Sequence, residues 1–480
     1  MLFNSYTFLW FLPLSLLIYW SAHRSLRLQN VLLLLLSYVF YGWWDIRFLA
    51  LIAGVTAIGF LTALGMEVAC SRSRLRHAIG TLGITASLGI LGAFKYYNFF
   101  IGELSAALHH FGVEISLPMW HVLLPVGISF FTFQTVSYII DVRRGKLKAC
   151  HDVVSYAAFI SFFPQLVAGP IERASDLLPQ MLHRRHLRYE DAVDGCRLIL
   201  WGMFKKMVLA DRCALYVDMI YSSPTASGAD LWVATVLFAF QIYGDFSGYS
   251  DIAIGTARLF GIRLTRNFAL PFFSRNVPEL WRRWHISLMN WFKDYVYIPL
   301  GGSRHGRLRQ LRNVCLVFLL SGLWHGANWT FIGWGLFQLI GFLPFITLSL
   351  GKRQRTAIVA ERRNLPSLRE TVEMLTTFLF FTLGWVLFRS ESIHAALCRM
   401  QAMCSQSPLS HPFCGWSAFF PALVVIGMEW VMRQQRHALD FPQGSLIARY
   451  RALRWAIYYT LIFSILYFGG AQVQFIYFQF

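Results

Sequence analysis

Charge is scarce in this sequence: Asp, Glu, Lys and Arg make up 14% of the 480 residues, against 56% hydrophobic and 17% aromatic. That balance excludes an ordinary soluble globule. The eight cysteines form no CxxC pair, so neither a zinc site nor a thioredoxin-type redox centre is supported, and no metal is expected. There is no GxSxG elbow, no HExxH, no Walker A sequence and no GxGxxG opening a helix, which removes the common hydrolase, metalloprotease and nucleotide-binding signatures. Ten-residue alternating strands are absent, which argues against a β-barrel. No solenoid period, low-complexity tract or long linker divides the chain.

What is present is a series of charge-free runs, such as "VLLLLLSYVFYGWW" from Val31 and "TTFLFFTLGWVLF" from Thr376, with the composition of lipid-facing helices. The expected architecture is therefore an all-α polytopic membrane protein with about 10–12 transmembrane helices. It reads as a single membrane domain over 1–480, with N-terminal helices in 1–145, a core in 150–350 and C-terminal helices in 370–480.

Lys and Arg number 43 against 24 Asp and Glu. The basic residues fall in short tracts between apolar runs: "HRSLR" (23–27), "SRSRLR" (71–76), "DVRRGKLK" (141–148), "HRRHLR" (183–188) and "RHGRLRQLR" (304–312). That is the positive-inside pattern and not a nucleic-acid surface, so no nucleic-acid partner is expected. With apolar segments near 5–21, 30–43, 48–69, 78–100 and 120–140, cytoplasmic placement of these tracts puts the N-terminus outside. No Lys or Arg precedes Arg24, so the first run reads as a retained span and not a signal peptide. Shorter pieces near 153–171 and 270–300 are broken by Pro and Gly and read as re-entrant or interfacial helices. Cys404 and Cys414 share an expected outer loop, where a disulfide could form.

Polar groups inside apolar sequence are expensive, so where they cluster is informative. Four islands stand out. "FPQLVAGPIERASD" (163–176) brings Gln165 to the membrane beside the helix breakers Pro164 and Pro170, which read as structural. "YGDFSGYSDIAIG" (243–255) carries Asp245 and Asp251, with Gly244 and Gly248 suited to close helix packing; a hydrogen-bonded carboxylate in a helix contact explains it as well as a functional site does. "PELWRRWHISLMNWFKDYVYIPLGGSR" (278–304) holds His285 and Asn290 in an amphipathic stretch that an interfacial anchor explains equally well. "LSGLWHGANW" (320–329) holds Trp324, His325 and Asn328.

For His325 a depth follows. A helix beginning after Arg312 places it about 13 residues along, roughly 19 Å into a core about 30 Å thick. A lone buried histidine is ordinarily just a neutral, hydrogen-bonded imidazole. Here Gly322, Gly326, Trp324 and Asn328 leave room for a small cavity and a polar partner. His285 falls in the cytoplasmic half, so the two histidines suggest the two ends of one passage. The single HxxxxD spacing, His186 to Asp191, sits in a charged loop without an apolar platform and reads as chance.

Together the islands "FPQLVAGPI", "YGDFSGYSDIAIG", "LWRRWHISLMNWFKDYVYIPLGG" and "LSGLWHGANWTFIGWG" resemble the membrane-bound O-acyltransferase family, in particular its bacterial branch that acetylates exopolysaccharides such as alginate and cellulose. "MLFNSYTFLWFLPL", "PVGISFFTFQTVSYIIDVRRG" and the closing "FIYFQF" resemble the same branch, so the likeness covers nearly the whole chain. It implies tilted helices around a central tunnel, His325 as the catalytic histidine and His285 as the second signature histidine. Lys293 stands where relatives often carry Arg, which weakens any bidentate contact with a donor phosphate there.

The resemblance also implies chemistry. A cytoplasmic acyl thioester such as acetyl-CoA is the donor substrate, with no bound cofactor, and His325 is the general base, the role its neutral form in a dry tunnel suits. His285 orients the donor or lines its entry, Asn328 or a backbone N–H is a candidate oxyanion donor, and Trp324, Asn290, Asp245, Asp251 and Gln165 are substrate or tunnel candidates. A periplasmic SGNH-type acetyltransferase and a polysaccharide synthesis and export complex are the expected partners, in the bacterial inner membrane. Two alternatives stand beside this reading: a D-alanine exporter for teichoic acids, and a secondary transporter doing no chemistry, which broken segments and buried carboxylates would serve equally well.

Overall fold

The computed structural model describes residues 1–69, 72–114, 117–120, 124–167, 169–348, 358–405, 415–469 and 475–476. Among the described residues there are helices and no strands. Cys414 lies outside them, and with it the disulfide suggested for Cys404.

Two compact units divide the chain, residues 1–188 with 260–264, and residues 189–259 with 265–480. The first holds α1 (Tyr6–Ser21), α2 (Leu26–Gly42), α3 (Arg47–Val68), α4 (Ser73–Lys95), α5 (Tyr97–His110), α6 (Ile128–Arg143), α7 (Val153–Ser161), α8 (Phe163–Leu166) and α9 (Ala174–Met181). Ser5, Ser25 and Asp152 cap α1, α2 and α7 by accepting backbone N–H groups, which satisfies donors that a helix start leaves open. Inside this unit Asn30 donates to Ser155 and to the Met181 carbonyl, both at 2.8 Å. Gln165 is buried here, its Nε2 donating to the Phe159 carbonyl at 2.6 Å. The amide thus ties α8 back to α7 across the break that Phe162 and Pro164 impose.

The second unit holds α10 (Tyr189–Phe204), a π-helical turn (Lys205–Ala210), α11 (Asp211–Tyr221), α12 (Gly228–Leu259), α13 (Val277–Arg283), α14 (Ile286–Phe292), a second π-helical turn (Lys293–Tyr297), α15 (Arg307–His325), α16 (Trp329–Thr347), α17 (Leu368–Arg389), α18 (Ile393–Ser405), α19 (Phe420–Val431), α20 (Leu446–Arg449) and α21 (Arg451–Phe468). At 32 residues α12 is roughly 48 Å long and buried along nearly its whole length, so it acts as the spine of this unit.

Among the described residues four helical stretches are long and apolar enough to cross a membrane, Arg47–Val68, Ser73–His110, Trp329–Thr347 and Leu368–Arg389, and shorter apolar helices run over Tyr6–Ser21, Leu26–Gly42 and Trp416–Val431. The protein is a multi-pass, all-α membrane protein. The interrupted regions of the sequence become α7, α8, α13 and α14; at seven residues, α13 and α14 span only about 10 Å each and cannot cross the bilayer.

Candidate active site

The site is built in the second unit by two helix interruptions. The first is the end of α15. Hydropathy places His325 inside a continuous span, but it is the last residue of that helix, and Gly326 and Ala327 turn the chain into α16. Asn328 makes the turn by accepting the Thr330 N–H at 3.0 Å, and its Nδ2 donates to the Glu391 carbonyl at 3.2 Å. Both ends of the amide are therefore engaged in capping α16 and holding the segment before α18. The glycines do not leave a cavity. A Cβ on Gly326 would lie 2.1 Å from the Phe331 ring, and one on Gly322 would lie 2.4 Å from the Phe331 carbonyl oxygen, so both admit α16 rather than a ligand.

The turn leaves His325 5% exposed inside an aromatic shell. Its ring lies 4.9 Å from Trp324, 5.0 Å from Trp334 and 5.4 Å from Phe388, each near perpendicular. Edge-to-face packing of this kind fixes a ring's orientation through the aromatic quadrupole. Trp334 in turn stacks on Trp385 at 5.7 Å.

The second interruption lies between α13 and α14. Asn276 caps α13, and Glu279 receives Arg275 at 3.1 Å and Arg283 at 2.8 Å. Burial alone would raise the Glu279 carboxyl, but the hydrogen bonds and charges of these two guanidiniums hold it below its ordinary range. The clamp leads into Trp284 and His285, where the backbone enters the left-handed region at φ 44°, uncommon for a non-glycine residue and a cost of about 1–3 kcal/mol. His285 is 1% exposed, its ring edge-on to Phe246 at 4.6 Å and 5.6 Å from Trp324. The Ile286 N–H donates to the Asn267 carbonyl at 2.9 Å, which pins the reversal.

Sequence placed the two histidines at opposite depths; the structure sets both imidazoles against one indole, that of Trp324. The reason is the reversal at His285. It turns α13 and α14 into two short buried helices instead of one amphipathic helix lying on a surface, and Trp281, Trp284 and Trp291 are buried with them. Asn290 in α14 and Lys293 at the start of the second π-helical turn are exposed, unlike the two buried histidines.

Asp245, which is buried, and Asp251, which is partly exposed, take part in an ionic network. Lys205 meets Asp251 at 2.7 Å and donates to Ser247 at 2.8 Å. Lys206 meets Asp211 at 2.7 Å and Asp245 at 2.8 Å, while Asp245 also accepts the Ile476 N–H at 2.7 Å. The π-helical turn lets two consecutive lysines face the same neighbour, α12. Nearby, Tyr243 donates to Glu429 at 2.7 Å. Through these partners Asp245 and Asp251 link α12 to the π-helical turn between α10 and α11, and Asp245 links it to Ile476 near the C-terminus.

Sequence reasoning missed Asn267, Trp334, Trp385 and Phe388. Asn267 stands 18 residues before its histidine partner, a separation that no periodicity reveals. The break after His325 did carry a local signal: Gly326 followed by Asn328 is a helix stop and an N-cap.

Among the described residues no three His, Cys, Asp or Glu side chains group to hold a metal. The fold and site together define a polytopic membrane protein that holds two imidazoles in an aromatic interior. The chain belongs to the membrane-bound O-acyltransferase family, whose model matches residues 85–364, and the protein is an O-acyltransferase. It is 40% identical over 406 residues to a probable alginate O-acetylase of Pseudomonas aeruginosa, covering 84% of this chain and 75% of the relative. A peptidoglycan O-acetyltransferase of Helicobacter pylori is 34% identical over 435 residues, 84% of this chain and 80% of the relative. A teichoic acid D-alanyltransferase of Streptococcus thermophilus is 30% identical over 232 residues, 45% of this chain and 56% of the relative.

Proposed function

We propose that the protein takes acetyl from a cytoplasmic acyl thioester, with acetyl-CoA as the first candidate, and delivers it across the bacterial inner membrane for O-acetylation of a polysaccharide, alginate before cellulose. His325 is the general base. It removes the proton of the attacking hydroxyl as the new C–O bond forms; the C–S bond then breaks, and the imidazolium returns the proton to the departing thiolate. A thiolate is a good leaving group, so positioning and one base suffice. The acetyl group passes to a periplasmic partner of SGNH-hydrolase type, and the N-terminus faces the periplasm.

The observation that carries this reading is the placement of His325 at a helix end, locked by three aromatic rings and sharing Trp324 with His285. Acetyl is favoured over D-alanyl because relatives named for alginate acetylation match at 40% over 84% of the chain, against 30% over 45% for the D-alanyltransferase. Ester analysis of the secreted polysaccharide tests it, comparing cells with the wild-type chain, with His325→Ala and with neither. Acetate released from the wild-type polymer alone is expected, and normal acetyl content with His325→Ala overturns the assignment. Released D-alanine would transfer the function to teichoic acid. Acetyl transfer in proteoliposomes that requires both acetyl-CoA and His325 separates the enzyme from a transporter.

A further inference from the structure

The hydrogen bonds around His285 determine which of its nitrogens carries the proton. Nδ1 lies 3.1 Å from Asn267 Oδ1. The same Asn267 atom receives the Ser287 backbone N–H at 3.3 Å and the Ser287 hydroxyl at 3.0 Å. A backbone N–H only donates, so this atom must be the amide oxygen whichever way the amide is first drawn. The other end agrees: Asn267 Nδ2 donates to Ser250 Oγ at 3.3 Å. An amide oxygen only accepts, so His285 Nδ1 must be the N–H, and in the neutral ring the lone pair falls on Nε2. Nε2 is buried and has no hydrogen-bond partner among the described residues.

A buried acceptor left open is uncommon in folded proteins, and here it is mounted on a residue held in left-handed backbone geometry. Strain of that kind gathers at functional sites. The rings that flank the imidazole, Phe246 and Trp324, fix its plane, and Trp324 connects it to His325.

We propose that Asn267 is a positioning residue that holds His285 in the Nδ1–H tautomer, so that Nε2 accepts a hydrogen bond from an N–H or O–H of bound substrate. This rests on the acyltransferase reading above. Two substrate groups carry such a donor: the amide of a pantetheine-type thioester arm and the hydroxyl that receives the acyl group. Ser250 and Ser287 belong to the same device, since they hold the Asn267 amide in register.

The tautomer is tested without reference to activity by 15N NMR of the full-length, 15N-histidine-labelled protein in lipid bilayers, with His285→Gln identifying the signal by difference. A pyrrole-type Nδ1 and a pyridine-type Nε2 are expected; a protonated Nε2 overturns the proposal and leaves the acyltransferase reading standing. The substrate contact is tested in proteoliposomes with acetyl-CoA and mannuronate oligosaccharides as probes. Asn267→Leu is expected to lower the rate roughly tenfold or more, as loss of the correct histidine tautomer does elsewhere. Asn267→Asp, which keeps an oxygen against Nδ1, is expected to recover most of it and remains informative should the leucine variant fail to fold. A raised KM for acetyl-CoA alone identifies the thioester arm as the donor, and a raised KM for the oligosaccharide alone identifies the hydroxyl. An unchanged rate in Asn267→Leu, or a lower kcat with both KM values unchanged, overturns the contact.

Discussion

The indole of Trp324 lies against two imidazoles at once, its ring centre 5.6 Å from His285 and 4.9 Å from His325. One residue thus joins a histidine held at a strained reversal to a histidine held at a helix end, and any change in that ring moves both.

Trp324→Ala is therefore expected to disturb both histidines and to leave a large void. Truncating a buried tryptophan to alanine costs about 3–5 kcal/mol, which should lower the midpoint of thermal unfolding in detergent. Trp324→Phe keeps a flat ring and should restore much of the stability. Acetyl transfer should follow ring retention; full activity in Trp324→Ala would mean that the imidazoles do not depend on this contact.

Gly326→Ala tests the turn itself. The backbone there is extended, with φ −168°, so alanine meets no conformational barrier; it meets the Phe331 ring, 2.1 Å from where its Cβ would stand. Overpacking of this sort costs about 1–3 kcal/mol. Because the displaced ring packs on Phe388 at 4.8 Å, and Phe388 packs on His325, activity should fall further than stability does. Parallel measurements of transfer rate and thermal unfolding on the same preparation check this, and an equal loss of both would reduce Gly326 to a packing residue.

The ionic network makes a different prediction, in stability. Lys206 serves two buried carboxylates, so Lys206→Met leaves Asp211 and Asp245 facing each other without their cation. Breaking a buried pair from one side costs about 3–5 kcal/mol. Adding Asp245→Asn to Lys206→Met should return part of the loss by removing one uncompensated charge. Thermal unfolding of the single and double variants checks the sign: a double variant less stable than Lys206→Met would contradict the pairing.

Much of the membrane architecture is legible in the sequence because lipid imposes a simple rule, long runs without charge. The runs read as 30–43 and 48–69 are α2 at Leu26–Gly42 and α3 at Arg47–Val68, and the interrupted pieces are short helices, as Pro164 and Pro170 indicate. His325 and His285 stand out for the same reason, as polar groups where they are expensive. What hydropathy hides is a helix end inside an apolar run: nothing in the hydrophobicity of residues 320–340 distinguishes the cap at Asn328 from a continuing span. It also hides partners. Lys205 and Lys206 look like one more basic tract until the π-helical turn is seen to bury them, and Asn267 is an isolated amide until the reversal at His285 brings it into contact.

Close packing of α10 on α12 is the last relationship with a measurable consequence, because it underlies the ionic network. Gly202 and Gly248 face each other so closely that a Cβ on Gly202 would lie 2.5 Å from the Gly248 carbonyl oxygen, and one on Gly248 2.8 Å from that of Gly202. Gly195 and Gly255 repeat the arrangement further along, at 2.7 and 2.5 Å. Small residues at such crossings let backbones approach where lipid supplies no hydrophobic drive. Gly248→Val should push the helices apart and draw Asp245 and Asp251, three residues to either side on α12, away from Lys206 and Lys205. The expected result is a loss larger than overpacking alone gives, about 1–3 kcal/mol, since strained ion pairs are added to it. Lys206→Met combined with Gly248→Val should then cost less than the two separate losses added together, because the valine has already weakened what the methionine removes. Strict additivity in thermal unfolding would show that the glycine contact and the ion pairs stabilise the unit independently.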